Sequence, residues 1–272
     1  MTVTFGCLEA ILSAMLEALI FDVDGTLADT ERDGHRLAFN AAFAEIGLDW
    51  RWDEALYGEL LEVTGGKERI RSFCERHAPE FPAKADAEAR IKELHAAKTR
   101  HYVALCAQGI PLRPGIERLL REAHAAGLRL AIATTTTPEN VSALLAPDLL
   151  ALFEKVGAGD TVPNKKPAPD IYQWVLAQLG LPASACLAIE DSANGLKASR
   201  AAGLATVITR TAYTDDHDFS GALAVLSDLG EPGEASAARA GSMHGKAFVD
   251  LDLLRSWHQE WLLRADANNK KT

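Results

Sequence analysis

Residues 18–26 read Ala18-Leu-Ile-Phe-Asp22-Val-Asp24-Gly-Thr26, an apolar run followed by two acids and a glycine. A short apolar run that ends in turn-forming residues predicts a buried strand whose carboxyl end opens into a turn. Because side chains alternate along a strand, Asp22 and Asp24 point to the same side, where their like charges need a compensating proton or metal cation. The ordinary alternative is a solvated strand end followed by an Asp-Gly turn.

The composition is that of a folded protein, and its net charge argues against binding to polyanions. A chain of 272 residues can form one large domain or a core domain with an insert, and 48% hydrophobic with 24% charged residues is an ordinary balance. The net charge of -10 argues against electrostatic binding to nucleic acid or to an anionic membrane. The cysteines form no C-x-x-C pair, and no signal-like or membrane-spanning run is evident, so we expect free thiols in a cytoplasmic protein.

Two patterns divide the chain. Apolar residues at helical spacing dominate residues 31–108, whereas strands alternate with helices from residue 116 onward. Later strands are predicted at 128–133, near 153–159, at 186–189 and at 203–208. Beyond residue 211 we predict an edge strand at 224–226, a surface loop at 230–245, and a short strand plus a terminal helix within 248–261.

These patterns predict an α/β fold, a doubly wound parallel sheet with a small all-α domain inserted after the first strand. The predicted core comprises residues 15–32 and 109–265, and the helical insert residues 33–108. Residues 1–14 are interpreted as an N-terminal extension, whose deletion should leave stability and activity unchanged.

Polar residues follow four of the predicted strands. Ligands of open parallel sheets bind outside the carboxyl ends of the strands, so we expect these side chains to meet at one edge. Four carboxylates, a hydroxyl and an ammonium group favour a hard cation such as Mg²⁺ together with a phosphate group. The residues are Asp22, Asp24, Thr134, Lys166, Glu190 and Asp191.

Each member also has an ordinary structural interpretation. The run from Thr134 to Thr137 is typical of a strand end and a helix cap. Lys166 could be a solvated loop lysine, and Glu190 with Asp191 could cap the next helix. The occurrence of all these groups in order at four strand ends favours the functional interpretation.

Together these motifs resemble the four motifs of the haloacid dehalogenase (HAD) superfamily, from about residue 15 to beyond residue 208. The resemblance implies a Rossmann-like core and a phosphoryl-transfer reaction. Asp22 would be the nucleophile that forms an aspartyl-phosphate, and Asp24 the general acid and then base. Both would also contribute to a Mg²⁺ site, Asp22 by its carboxylate and Asp24 by its backbone carbonyl.

The same resemblance assigns the remaining core residues. Thr134, with the amide of Thr135, would donate hydrogen bonds to phosphate oxygens, and Lys166 would neutralise charge on the nucleophile and the transferring group. Asp191, with Glu190 close by, would complete the metal shell.

The helical insert corresponds in this superfamily to a cap that closes over the site. The segment Asp29-Thr-Glu31 resembles the hinge, and Arg32-Asp-Gly-His35 is one residue longer than in relatives that act on sugar phosphates. For the cap lysines, a solvated helix face is the ordinary alternative. The implied substrate-binding residues outside the core motifs are Glu31, His35, Lys67, Arg69 and Lys98.

In finer detail the motifs resemble the CbbY-type phosphatases associated with the Calvin cycle. This resemblance implies a monomeric sugar-phosphate phosphatase that converts xylulose 1,5-bisphosphate to xylulose 5-phosphate, one phosphate lying at Asp22 and the other on cap cations. Alternatives within the superfamily are a β-phosphoglucomutase and a phosphoglycolate phosphatase. Outside it, a phosphorylated signalling receiver would be shorter and lack the insert, and a silent sugar-phosphate binding protein would not need both aspartates.

Overall fold

The structure is a computed structural model that describes residues 15–79, 81 and 86–269, so the predicted extension at 1–14 lies outside the described residues. Its framework is a seven-stranded sheet in the order β3-β2-β1-β4-β5-β6-β7, in which only the β6–β7 pair is antiparallel. The strands are β1 (Ala18–Phe21), β2 (Arg129–Ala133), β3 (Phe153–Gly157), β4 (Cys186–Glu190), β5 (Ala205–Thr209), β6 (Ala224–Leu226) and β7 (Ala238–Ala240).

The apolar strand β1 lies inside the sheet, between β2 and β4, and is buried along its whole length. Its register aligns Phe21 with Ile132 on one side and with Ile189 on the other, so three strands end at the same level. Strands covered on both faces read as continuous apolar runs, as this one does. The polar residues that follow these strands therefore meet at one edge of the sheet.

Helices cover both faces of the sheet and form the insert. In chain order they are α1 (Arg36–Glu45), α2 (Glu54–Leu60), α3 (Gly66–His77), α4 (Ala87–Cys106), α5 (Ile116–Ala125), α6 (Pro138–Leu144), α7 (Pro147–Leu150), α8 (Asp170–Leu179), α9 (Ala193–Ala201) and α10 (Leu251–Asn269). A π-helical turn, Glu31–His35, precedes α1. The predicted doubly wound fold with an all-α cap is thus confirmed.

The cap, formed by α1 to α4, has its own hydrophobic core. Aromatic rings meet at its centre: Phe39 and Trp52 have ring centroids 4.6 Å apart, and Phe43 and Trp52 4.9 Å apart. These side chains belong to a buried cluster separate from the two clusters that flank the central sheet. Aromatic side chains bury large apolar areas, so this cluster stabilises the cap as a compact unit.

The C-terminal region differs from the sequence prediction in two respects. Strand β6 was predicted to be the sheet edge, but β7 pairs with it on the outside. This strand lies inside residues 230–245, which were predicted to form a loop. The prediction missed it because its exposed sequence Ala-Arg-Ala has no apolar pattern. The predicted terminal helix within 248–261 is present as α10, but no strand precedes it there.

Two further expectations concern the thiols and the membrane. Cys74, Cys106 and Cys186 are free and buried, as predicted, and Cys7 lies outside the described residues. Over the described ranges, no helix combines the length and the apolar character needed to cross a bilayer.

Candidate active site

The site is built around the carboxylate of Asp22, which follows β1 directly. Lys166 Nζ donates to Asp22 Oδ1 at 2.7 Å and to Glu190 Oε1 at 2.5 Å, so one ammonium group joins the ends of β1 and β4. The hydroxyl of Tyr172 also donates to Glu190 Oε1, at 2.5 Å. Lys166 is 5% exposed, so it is a buried ionic partner and not a solvated loop lysine.

Two glycines allow the acids to approach the backbone closely. Gly25 has φ +85°, and a Cβ there would clash with the carboxylate of Asp191. A Cβ on Gly195, in the first turn of α9, would overlap the carboxylate of Glu190. A side chain at either position would displace these carboxylates, and at Gly25 the left-handed backbone favours glycine as well.

Asp24 is held by partners from the segment where the core passes into the cap. Thr30 Oγ1 donates to Asp24 Oδ1 at 2.6 Å, and His35 Nε2 lies 2.8 Å from the same oxygen. Lys98 Nζ lies 2.7 Å from His35 Nδ1. Because lysine can only donate and a carboxylate only accept, a neutral imidazole with its proton on Nε2 satisfies both neighbours. Asp24, His35 and Lys98 thus form a hydrogen-bonded chain in which His35 and Lys98 are buried.

A π-helical turn, Glu31–His35, forms the segment that was expected to be one residue longer than in relatives. The amide of Arg36 donates to Glu31 O, a spacing of five residues in place of the usual four. A single π-turn accommodates one additional residue without changing the helix that follows. Glu31 therefore still faces the site while His35 is stacked on Tyr102, with ring centroids 4.2 Å apart.

The helix-capping role, the ordinary alternative for Thr134 and Asp191, is carried out by nearby residues instead. Thr137, not Thr134, caps α6, since its Oγ1 accepts from Asn140 N at 3.3 Å. Ser192, not Asp191, caps α9, since its Oγ accepts from Gly195 N at 3.1 Å. The predicted residues Thr134 and Asp191 are instead buried and line the cavity described below.

Electrostatics at this edge favour a bound cation. Burial raises the pKa of Asp22 to about 7, against the opposing effect of Lys166 and with the help of Glu190 and Asp24. Burial, with Asp22 and Glu190 as neighbours, also raises the pKa of Asp191 well above its usual range. For Asp24 burial acts in the same direction, but the hydrogen bonds from His35 and Thr30 hold its pKa below the ordinary value.

The donor set fits a hard divalent cation. Asp22, Glu190 and Asp191 each offer a carboxylate oxygen, and these oxygens lie within 4.8 Å of one another. Among the described residues, Lys166 is the one ammonium group that bonds to this set, so three carboxylates share one ammonium group in a buried space. Oxygen ligands with surplus negative charge suit Mg²⁺, which lowers the pKa of the carboxylates that it binds.

Beneath the site, Glu31 is held by two residues of the cap. The hydroxyl of Tyr57 donates to Glu31 Oε2 and accepts from Arg69 Nη1 at 2.9 Å. Arg69 Nη1 lies 3.7 Å from Glu31 Oε2, and Arg69 Nε also donates to Leu60 O at 3.2 Å. Sequence analysis missed Tyr57, because 26 residues separate it from Glu31.

Lys67 occupies a different place from the other predicted cap cations. Its Nζ forms a 2.5 Å ion pair with Asp160 of the core, which Lys165 Nζ also contacts at 2.9 Å. Lys67 therefore bridges the cap and the core rim. Lys98, by contrast, is 3% exposed and lies over the ring of Phe39, so it is not part of a solvated helix face.

A cavity of about 280 Å³ separates the sheet edge from the cap. Asn194 crosses it, its Nδ2 donating to Glu62 O and to Thr64 Oγ1 at 3.3 Å. Lys197 also lines it and was not predicted, although its spacing of three from Asn194 places both on one face of α9. The predicted residues that line this cavity are Asp22, Asp24, Glu31, Arg69, Thr134, Thr135, Lys166 and Asp191. His35 and Lys98 line a smaller space that shares Asp24, Glu31 and Arg69 with it.

Comparisons with known proteins agree on one family. A model described as "haloacid dehalogenase-like hydrolase" matches residues 16–203. "Protein CbbY, plasmid" of Cupriavidus necator is 52% identical over 92% of this chain and 100% of its own length. A crystal structure of CbbY from Rhodobacter sphaeroides in complex with xylulose-(1,5)bisphosphate is 46% identical, with TM-score 0.74, over 80% of this chain and 97% of that one. A β-phosphoglucomutase from Clostridium difficile shares the fold at 20% identity and TM-score 0.69, covering 92% and 100% of the two chains.

Proposed function

Because the chain belongs to the haloacid dehalogenase-like hydrolases and is a phosphatase of that family, we propose that it is a Mg²⁺-dependent sugar-phosphate phosphatase that acts through an aspartyl-phosphate. The observation that carries this proposal is the contact of Lys166 with Asp22 beside the acidic cluster of Asp22, Glu190 and Asp191. Mg²⁺ bound by the three acids and by the Asp24 carbonyl would reduce the repulsion between the nucleophile and the phosphate dianion.

Asp22 attacks phosphorus, and Lys166 offsets the negative charge that this brings together. Thr134 and the amide of Thr135 orient the phosphate oxygens. Asp24 gives its proton to the leaving oxygen and later removes one from water. Substrate phosphate beside Asp24 raises the pKa of that carboxyl, because like charges favour the protonated form, and His35 with Lys98 holds it in place.

We propose xylulose 1,5-bisphosphate as the substrate and xylulose 5-phosphate as the product. The 46% identity to a CbbY crystallised with this bisphosphate supports the assignment. The positively charged residues of the cavity also support a bisphosphate substrate, since Arg69 from the cap and Lys197 from α9 line it together with Lys166. A second phosphate held by such groups would fix which ester is cut and would help to close the cap.

We also propose that residues 33–108 form the cap and that residues 15–32 and 109–265 form the core. The separate aromatic cluster of the cap supports these limits. Glu31 and the pair of Lys67 with Asp160 lie at the boundary between the two parts. Selectivity would thus arise where the cap meets the core.

The test is phosphate release from a panel of substrates: xylulose 1,5-bisphosphate, ribulose 1,5-bisphosphate, β-glucose 1-phosphate, fructose 1,6-bisphosphate and phosphoglycolate. We expect xylulose 1,5-bisphosphate to give the highest kcat/KM. Lys197→Met should raise KM for the bisphosphate and leave phosphoglycolate hydrolysis unchanged, whereas Lys92→Met, a change of an exposed cap lysine, should alter neither. A clear preference for phosphoglycolate would contradict the assignment.

A further inference from the structure

Arg113 follows the cap, and its guanidinium group contacts backbone carbonyls instead of carboxylates. Nη1 donates to Gly25 O and, at 2.8 Å, to Thr209 O, while Nη2 donates to Arg210 O at 2.7 Å and to Ser227 O at 2.5 Å. No carboxylate among the described side chains forms a salt bridge with it. A half-buried cation of this kind is stabilised only if its donors are satisfied, so the carbonyls fix its position.

These carbonyls come from three separate segments at the carboxyl edge of the sheet. One belongs to the turn after β1, two to the end of β5 and one to the residue after β6. The Arg113 amide also donates to Leu27 O at 2.9 Å. Because β4 lies between β1 and β5, the guanidinium group joins the turn of Asp22 and Asp24 to strands on the far side of Asp191.

Gly25 lies between this guanidinium group and the carboxylate of Asp191. Its carbonyl accepts from Arg113, and its Cα is so close to Asp191 that a Cβ would clash with Oδ2. A shift of the Gly25 peptide would therefore change the distance between Asp191 and the Asp22–Asp24 turn. These are the two segments that a single cation has to bridge.

We propose that Arg113 is a positioning residue for the metal site, holding the Gly25 peptide so that the acids after β1 and β4 keep the separation that Mg²⁺ requires. The inference rests on the proposed Mg²⁺-dependent function. Mg²⁺ demands nearly ideal octahedral geometry with short bonds to oxygen. Groups that orient metal ligands without touching the metal are expected to change affinity by about 10- to 100-fold when replaced.

The variant that tests this is Arg113→Lys, which keeps the charge but cannot reach carbonyls of three segments with a planar fork. The matched control is Arg118→Lys. Arg118 also donates to two carbonyls, Gly230 O at 2.8 Å and Val249 O at 2.9 Å, and it pairs with Glu231, but none of these partners belongs to the turn after β1. Both changes should lower Tm, because both leave buried carbonyls without a donor.

Two titrations separate positioning from stability. With the metal alone, the rise of Tm with Mg²⁺ concentration gives the affinity of each variant without turnover. Phosphate release at saturating substrate gives the half-activating Mg²⁺ concentration. We expect Arg113→Lys to need about 10- to 100-fold more Mg²⁺ in both, and Arg118→Lys to need the wild-type concentration.

A wild-type Mg²⁺ requirement in Arg113→Lys would overturn the inference, whatever the loss of Tm. If Arg113→Lys does not fold, Arg113→Gln, which avoids a buried charge and keeps two donors, is titrated in the same way, and a wild-type constant there has the same meaning. Absence of any Mg²⁺ effect in the unmodified protein would instead overturn the proposed function itself.

Discussion

In the proposed mechanism Asp22 has to be ionised to attack phosphorus, yet burial raises its pKa to about 7, an effect that Lys166 opposes and that Glu190 and Asp24 reinforce. A divalent cation at this carboxylate would lower the pKa again. In this mechanism the ionisation of Asp22 would thus depend on metal binding. Glu190, which holds Lys166 from the other side, keeps the ammonium group in place throughout.

Asp22→Asn should abolish turnover while leaving the fold intact. The amide keeps the shape of the carboxyl group but cannot attack phosphorus, and loss of a nucleophile costs on the order of 10⁴-fold or more in kcat. Phosphate release and circular dichroism check the two halves of the expectation. Appreciable activity in a folded Asp22→Asn protein would contradict the aspartyl-phosphate mechanism.

At the scale of elements, the π-helical turn Glu31–His35 is the feature that a helix pattern could not have predicted. The apolar spacing is helical on both sides of the turn and does not reveal its π geometry. The sequence suggested only that the segment up to His35 is one residue longer than in relatives. The turn includes Arg32 and Asp33, whose side chains are 50% and 43% exposed. His35 therefore keeps its contact with Asp24.

Deleting Arg32 should convert the π-turn to an ordinary α-turn and leave kcat/KM within the same order of magnitude. The exposed ion pairs of Arg32 contribute little to stability, and Glu31 and His35 would keep their places. Tm and phosphate release provide the measurement. The matched control is deletion of Leu37, also an exposed residue but within regular α1, where the loss of one residue turns Phe39 away from the cap core. Equal damage from both deletions would contradict this interpretation.

The strands were predictable where burial imposes an apolar run and were missed where it does not. β1, β2, β4 and β5 are buried along most or all of their length, and each was predicted within two residues. β7 is exposed at all three positions and is defined only by pairing with β6. Pairing between distant segments leaves no local signal in such a short strand.

For the whole molecule, the sequence predicted which core residues meet but not the partners of the cap residues. Chain order alone brings strand ends to one edge, so the contacts of Asp22 with Lys166 follow from topology. The pairing of Lys67 with Asp160 joins residues 93 positions apart in two different parts of the fold. Such contacts depend on how the cap packs on the core, which periodicity does not encode.

Removal of metal tests the site as a whole. Treatment with EDTA should abolish phosphate release, and Mg²⁺ should restore it better than Ca²⁺, because Ca²⁺ prefers more ligands at longer distances than this compact set of oxygens provides. The measurement is initial rate against added cation after chelation. Full activity after exhaustive chelation would contradict the proposed mechanism.

The isolated bridge between Ala28 and Leu112 brings together the two points at which the chain leaves and re-enters the core. A segment whose ends are neighbours can be lengthened, shortened or exchanged without redirecting the chain on either side. During evolution, the insert at residues 33–108 could thus be replaced or remodelled as a unit while the strand ends of the core stayed unchanged. One hydrolytic chemistry could in this way be passed on to enzymes with quite different substrates.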